Sequence, residues 1–291
     1  PVLNRDISNW KPISVTNMTN FYRNAQKSPI AMDISNYDLL LDITNGWGSV
    51  ASSMQSGVSL NMGTSQYTAG GNAEAGRTAL INAGWTIVDG GAVFSNTNAL
   101  SFNGSSEYIS VGRPSNLILT PGTDNITISA YFKTAVSGCI YSFDAPTTPS
   151  QTRIKLGIEG NDGKIEATLN GNSSGQIPSG SDSYNDNDWY HVALTCAAGA
   201  STATIYINGS SVGTVDVGPG NSINATEGGA IGARTPSSPG FYFNGNLDEI
   251  IVWNTVLTTG EIQAYANVIG SGSIPDPNSI TGLQMWNRMG D

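Results

Sequence analysis

From Phe94 to Trp253 the sequence breaks into short apolar runs punctuated by Gly and Asn, and this punctuation constrains the fold more than any other feature. The stretch Ile126-Thr127-Ile128-Ser129-Ala130-Tyr131-Phe132-Lys133 alternates with period two. That spacing sends Ile126, Ile128, Ala130 and Phe132 to one face of a strand. Further runs at 99–104, 108–111, 139–143, 153–158, 164–169, 189–196, 203–207, 229–231 and 247–253 read as strands. Turn signals stand between them at Asn161-Asp162-Gly163, Asn170-Gly171, Asn208-Gly209 and Asn244-Gly245. About ten strands at such spacing predict an antiparallel β-sandwich or barrel. Its core is expected to include Trp189, Val192, Ile205, Ile207, Ile250 and Val252. Thr258 and Glu261 fit a capping box, so one helix is expected there, carrying Ile262, Ala264 and Tyr265. Less than about a fifth of the chain is expected to be helical, against roughly a third in an average domain.

Composition narrows the partners. Only 12% of the 291 residues are charged and 35 are Gly, where roughly 25% charged and 7% Gly are usual. Lys and Arg number 12 against 22 Asp and Glu, a net charge of −10. That balance argues against nucleic acid and anionic membrane surfaces, which recruit basic faces. No apolar run is long enough to cross a bilayer as a helix. Cys139 and Cys196 are the two cysteines. They leave a disulfide open and offer no zinc-ligand spacing.

Ahead of the strands lies a repeat. Asp6-Ile7-Ser8-Asn9-Trp10 returns as Asp33-Ile34-Ser35-Asn36-Tyr37, 27 residues later. Solenoids of the leucine-rich type repeat every 20–29 residues, each turn adding apolar residues to a shared column. The stretch from Asp6 to Met18 resembles the BspA-like leucine-rich repeats of bacterial surface and phage proteins, departing at Lys11-Pro12. The text that follows, through Trp47, Val58-Ser59-Leu60 and Ile81 to Gly91, resembles the closing cap of such arrays. The resemblance implies a short leucine-rich-repeat-type solenoid end over 1–91.

The later strands resemble the laminin-G-like, concanavalin A-like jelly roll. The matching text is Leu100-Ser101-Phe102-Asn103-Gly104 with Glu107-Tyr108-Ile109-Ser110-Val111, then Trp189-Tyr190-His191-Val192-Ala193, Ile205-Tyr206-Ile207-Asn208-Gly209, and Gly245 to Trp253. This implies a mainly β chain whose sandwich covers 92–268. Residues 269–291 are expected to be a linker and the start of a further unit, because Leu283 to Asp291 resembles a segment that opens another such domain in phage virion proteins. The chain starts at Pro1 without Met or signal peptide, which is expected of a processed or partial chain.

Enzyme chemistry finds little support. The one histidine, His191, lies in a strand run and is expected to be a core residue with a satisfied ring. Glycosidases of the concanavalin-like fold carry paired carboxylates on one strand face. Asp248 and Glu249 are adjacent, so a regular strand sends them to opposite faces. No catalytic residue is expected.

Calcium is the cofactor the resemblance implies, since laminin-G-like domains often hold one Ca2+ at the sandwich edge, with Asn103, Glu107 and Asp248 as its ligands here. The oxygen-rich stretch Asp182 to Asp188 lacks the Gly and distal Glu of an EF-hand. Sugar binding needs aromatic faces beside polar groups. Tyr131, Tyr184, Phe241 and Tyr242 lie in expected loops or at outward strand positions.

The resemblances imply a non-enzymatic structural or adhesion protein of a virion surface, a phage fibre or decoration subunit with a glycan-binding jelly roll. It is expected to assemble with like subunits or other surface proteins. A bacterial cell-surface adhesin and a carbohydrate-binding appendage of a secreted glycoside hydrolase remain as alternatives, and fold alone does not separate them.

Overall fold

The computed structural model describes residues 4–22, 31–95, 98–112, 122–144, 152–159, 162–169, 182–218, 228–234, 240–267 and 273–289. The chain divides into two compact units, Pro1–Ser95 with Ser273–Asp276, and Asn96–Gly272 with Pro277–Asp291.

In chain order the first unit contains α1 (Ile34–Leu41), β1 (Ser59–Asn61), β2 (Tyr67–Thr68), α2 (Asn72–Asn82), β3 (Thr86–Val88) and β4 (Ala92–Ser95). β1 pairs with β3 and β2 with β4, both in parallel, and Met18 adds a parallel bridge to Leu60. Tyr37, Leu40 and Leu41 of α1 pack with Trp47, Val58, Leu60, Met62 and Leu80 in one buried cluster. The spacing of Tyr37, Leu40 and Leu41 places them on one helical face, which is why this stretch buries as a helix.

The leucine-rich-repeat solenoid expected over 1–91 is not shown. The two copies of the repeat take different structures. Asp6 to Trp10 forms a turn, with Ser8 N donating to Asp6 Oδ1 at 2.8 Å and Trp10 N to Ile7 O at 3.0 Å. The second copy begins α1. Their aromatic residues therefore do not share a column: Trp10 is 47% exposed and Tyr37 0%. Lys11-Pro12 follows the first copy, and Pro lacks an N–H and biases its predecessor away from helix. The second copy is followed by the leucines that anchor α1.

The second unit contains β5 (Leu100–Asn103), β6 (Ile109–Gly112), β7 (Ile126–Thr134), β8 (Gly138–Asp144), β9 (Thr152–Glu159), β10 (Lys164–Leu169), β11 (Trp189–Cys196), β12 (Thr202–Ile207), β13 (Ser210–Asp216), β14 (Gly229–Ile231), β15 (Asn244–Trp253) and α3 (Thr259–Ala266). β16 (Ser273–Pro275) then pairs with β4 in the first unit, and β17 (Leu283–Asn287) returns to the second. One sheet runs β10-β9-β8-β14-β6, and the other β13-β12-β11-β7-β15-β17, with β5 also on β15. This is an antiparallel β-sandwich of jelly-roll type.

The expected inward face of β7 is observed: Ile126, Ile128, Ala130 and Phe132 are all buried in the sandwich core. Val192, Ile205, Ile207, Ile250 and Val252 join them, whereas Trp189 is only half-buried. The β12–β13 hairpin turns at Asn208-Gly209, with φ of 48° and 78°, both in the left-handed region such a tight turn demands. Thr258 caps α3 as expected: its side chain accepts from Glu261 N while the Glu261 carboxylate accepts from Thr258 N. The turn expected at Asn244-Gly245 is instead the start of β15. Gly245 passes so close to β7 that a Cβ there would lie 2.1 Å from Lys133 O, so the glycine serves close strand approach and not a reversal.

The stretch expected to open a further unit is here the edge strand β17, with Trp286 opposite Ile251 of β15. Met289 beyond it is 1% exposed and packs in the sandwich core, which ties this segment to the sheet. Cys139 and Cys196 are both buried, and no disulfide joins them.

Candidate functional site

Strand pleating decides which side chains reach the outer face of the five-stranded sheet. Ile154, Leu156 and Ile158 of β9 and Ile165, Ala167 and Leu169 of β10 point into the core. The residues between them point outward. Lys155 stands opposite Ser142 of β8 and Thr168 of β10, and Gly157 opposite Cys139 of β8 and Glu166 of β10. Among the described residues, those between the core positions are thus small or polar and include the cation Lys155 and the anion Glu166. Those two pair: Lys155 Nζ lies 3.2 Å from Glu166 Oε1. Lys155 is 6% exposed and Glu166 3%, so the pair is well removed from water. Among the described residues, Glu166 Oε2 accepts no hydrogen bond.

Phe241 lies over this face. Its carbonyl accepts from Cys139 N at 3.1 Å, and Lys155 Nζ lies 5.5 Å from its ring centroid. The backbone of Phe241 is left-handed, at φ 50°, a conformation uncommon for a bulky residue and often found at functional positions. Next to it, Tyr242 meets Tyr108, with ring centroids 6.4 Å apart and planes inclined at 50°. All three rings are half-exposed.

Two of the four aromatic residues expected from sequence, Phe241 and Tyr242, are therefore half-exposed, Phe241 over Lys155 and Tyr242 against Tyr108. The other two are placed elsewhere. Tyr131 does point outward from the seven-stranded sheet, but it is 3% exposed, and its hydroxyl donates to the carbonyl of Tyr265 on α3. Burial pushes the Tyr131 phenol well above its ordinary value. The helix covers the ring that strand alternation made outward-facing, so Tyr131 offers no surface to a ligand. Tyr184 packs edge-on to Tyr190 at 5.2 Å and against the sandwich core. Tyr190 in turn donates to Asp186 at 2.9 Å, and burial together with that carboxylate pushes its phenol up to about 12.

The seven-stranded sheet carries its own buried polar row. Asp248, Tyr131 and His191 are register partners across β15, β7 and β11, and Ser129 is one step along β7. His191 Nε2 lies 2.9 Å from Ser129 Oγ, while Nδ1 has no partner, so the ring is satisfied at one nitrogen only. Burial holds the imidazole down at about 3.

Between Asp248 and Ile251 the β15–β7 register shifts through a bulge, and Glu249 adopts a left-handed φ of 47°. The bulge turns Glu249 to the side of Trp286, whose indole N–H donates to its carboxylate. Asp248 and Glu249 thus share the outer side, where a regular strand would send them to opposite faces. Both are buried, at 5% and 0% exposed.

The calcium ligand set is not assembled. Asn103 pairs with Asn244, four residues before Asp248 on β15, which puts about 13 Å of strand between them. Asn103 Oδ1 accepts from Ser105 N at 2.9 Å and Ser106 N at 3.0 Å, and Glu107 Oε2 accepts from Asn103 N at 2.8 Å. These oxygens organise a turn, and Asp248 lies in the buried row. Among the described residues no three His, Cys, Asp or Glu side chains converge on a metal position. Asn103, Glu107 and Asp248 therefore do not fit one Ca2+.

Sequence reasoning missed Tyr108, Lys155 and Glu166. The signal for the last two was present: each is a charge set between apolar residues at alternate positions of a strand.

Comparison with known proteins agrees with this architecture. The profile described as the concanavalin A-like lectin/glucanases superfamily matches residues 103–263, more than half of the chain. No curated protein matches significantly. Among solved structures, the chain is similar to a heptameric SAP-like pentraxin from Limulus polyphemus, at 23% identity over 57% of this chain and 80% of that one, with a TM-score of 0.42. It is also similar to a putative carbohydrate binding protein from Bacteroides ovatus, at 23% identity over 68% and 54%, with a TM-score of 0.49. Trypanosoma rangeli sialidase matches at 15% identity over 52% and 24%, with a TM-score of 0.41. The chain thus spans about half the Bacteroides protein and a quarter of the sialidase. By the profile match, the chain belongs to the concanavalin A-like lectin/glucanase superfamily.

Proposed function

We propose that the sandwich unit is a glycan-binding module that carries out no hydrolysis. The observation that carries this reading is the half-exposure of aromatic rings on the second unit, Tyr242 against Tyr108 and, separately, Phe241 over Lys155 of the five-stranded sheet. A saccharide presents C–H faces that stack on aromatic rings and hydroxyls that need planar polar partners, and a shallow site with both suits it. Access to the Asp248–Glu249 pair supports the part of this reading that excludes hydrolysis. Asp248 and Glu249 are buried beside Tyr131 and Trp286, whereas glycoside cleavage needs two carboxylates flanking a bound bond.

A glycan array probed with the intact chain tests the reading. Binding is expected, and Tyr242→Ala should abolish it, while Tyr131→Phe, a change beneath α3, should leave it intact. Equal loss in both variants would place binding elsewhere.

For its setting, we infer display on a virion surface as a fibre or decoration subunit in contact with like subunits. What supports this is the resemblance of the 283–291 segment to phage virion proteins and of the Asp6 to Met18 stretch to repeats of bacterial surface and phage proteins, together with a sequence poor in charge. Isolation of the source particle tests it: recovery of the chain from a bacterial cell wall, or joined to a catalytic domain, would favour the adhesin or the hydrolase appendage.

A further inference from the structure

We infer that the glycan is acidic and crosses the outer face of the seven-stranded sheet, where Lys133 pairs with its carboxylate and Trp189 stacks on its ring. The inference rests on the glycan-binding reading and deepens it by naming the ligand class and the residues that read it.

Pairing register assembles this surface. Trp189 of β11 stands opposite Lys133 of β7, Lys133 opposite Asn246 of β15, and Asn246 opposite Ser101 of β5. Register partners point to the same side of a sheet, so the four side chains form one row, about 14 Å long at the usual strand spacing. Their chain neighbours fix which side. Phe132, Leu247 and Phe102 lie in the sandwich core and Tyr190 packs against it, so the row lies on the outer face. Two residues along β11, β7 and β15 stands the buried row of His191, Tyr131 and Asp248, where the Tyr131 hydroxyl donates to Tyr265 O of α3. The helix covers that row and leaves the next one open: Trp189, Lys133 and Asn246 are half-exposed and Ser101 is exposed. The same alternation keeps Trp189 out of the core.

The polar tips of the row are unused. Among the described residues none of the four side chains makes a hydrogen bond or an ion pair. A surface lysine without a partner is ordinary by itself, but this one is fixed between an indole and an amide by the register of three strands. An indole offers a sugar a stacking face, and Asn246 and Ser101 offer its hydroxyls donors and acceptors. A neutral sugar would use these and leave the ammonium without a counter-charge. An amino sugar would set a second cation beside it. A carboxylate gives Lys133 a charge-assisted hydrogen bond, stronger than one between neutral groups. Tyr242 precedes Asn246 by four residues, at most about 14 Å of chain, so an oligosaccharide that crosses the row is long enough to reach from it to that ring.

The test uses the full chain and immobilised polymers, with polygalacturonate and hyaluronan as acidic probes and galactan and mannan as neutral ones. Wild type, Lys133→Met, Lys133→Arg and Tyr242→Ala are compared. A net charge of −10 gives the chain no general attraction to polyanions, so binding to an acidic polymer reports a local site. Wild type should bind an acidic polymer in preference to either neutral one. Lys133→Met keeps the stem and removes the charge. It should weaken that binding about tenfold, the scale of one hydrogen bond to a charged group, and leave any neutral binding unchanged, whereas Lys133→Arg should retain most of the affinity. Added sodium chloride gives the same reading without a substitution, weakening wild-type binding to the acidic polymer alone. Preference for a neutral polymer overturns the proposal. So does equal loss on acidic and neutral polymers in Lys133→Met. Wild-type affinity in Lys133→Met when Tyr242→Ala binds poorly overturns it as well, and leaves the glycan-binding reading standing. Failure of wild type to bind any polymer removes that reading, and the proposal with it.

Discussion

The indole N–H of Trp286, on the edge strand β17, donates to the carboxylate of Glu249, which is fully buried in the bulge of β15. The bond joins β17 to the place where β15 departs from regular pairing with β7. A carboxylate in that setting depends on its donors, because leaving a buried acceptor short of one costs more than an average hydrogen bond gains.

Trp286→Phe keeps an aromatic ring under Arg288, whose guanidinium lies 5.3 Å from the indole ring, and removes the N–H together with part of the ring system. The variant should lose about 1–3 kcal/mol of stability. Urea unfolding followed by circular dichroism measures this. An unchanged midpoint would show that the Glu249 carboxylate is held without Trp286.

Gly245 tests the close approach of β15 to β7. Its φ is 143°, and an added Cβ would lie 2.1 Å from Lys133 O. Lys133 O is backbone in the middle of a sheet and cannot turn aside as a side chain would. Gly245→Ala should destabilise the sandwich by about 3 kcal/mol through strain and displaced pairing. Thermal unfolding reads the loss, and a wild-type midpoint would mean that the strands separate there without penalty.

Such details mark the limit of what the sequence could disclose. Period-two alternation located the inward face of β7 because the pattern is local and its consequence, burial of Ile126, Ile128, Ala130 and Phe132, follows from pleat geometry alone. The Thr258 cap and the Asn208-Gly209 turn were legible for the same reason. Tyr131 was not: its outward direction was readable, but α3, more than a hundred residues later, covers it. The side taken by Glu249 was hidden by a bulge that depends on the register of β15 against β7. Phe241 and Tyr242 were found by their type and loop position, yet their partners Tyr108 and Lys155 come from distant strands that only the sheet order brings near. The Asp-Ile-Ser-Asn repeat misled because four shared residues did not outweigh the different stretches that follow each copy.

The cap of α3 offers a smaller, local measurement. Thr258→Ala removes the hydroxyl that accepts from Glu261 N and leaves the Glu261 carboxylate on Thr258 N, so only half of the reciprocal pair is lost. The cost should be about 1 kcal/mol. Hydrogen exchange at the first turn of α3 should quicken, while exchange in β11 should not. Equal change in both would mean that α3 and the sheet open together.

His191 gives the sandwich a pH dependence whose sign can be worked out. In the fold its ring is fully buried, with Ser129 and Tyr131 of β7 against it and Asn208 beside its backbone. Burial away from water disfavours the imidazolium, so the folded chain takes up the proton only near pH 3. The unfolded chain takes it up near the ordinary value of about 6.5. Above that value both states are neutral and His191 adds no slope. Between the two values only the unfolded state binds the proton, so stability falls as pH falls, by up to about 1.4 kcal/mol per pH unit. Below pH 3 both states are protonated and the slope ends. His191→Gln keeps a polar partner for Ser129 and cannot titrate. Urea unfolding at pH 7.5, 6, 5 and 4 should therefore show wild type losing stability faster than the variant once the pH drops below about 6.5. Parallel pH profiles would show that the imidazole is protonated as readily in the fold as outside it, and so is not sealed beneath α3.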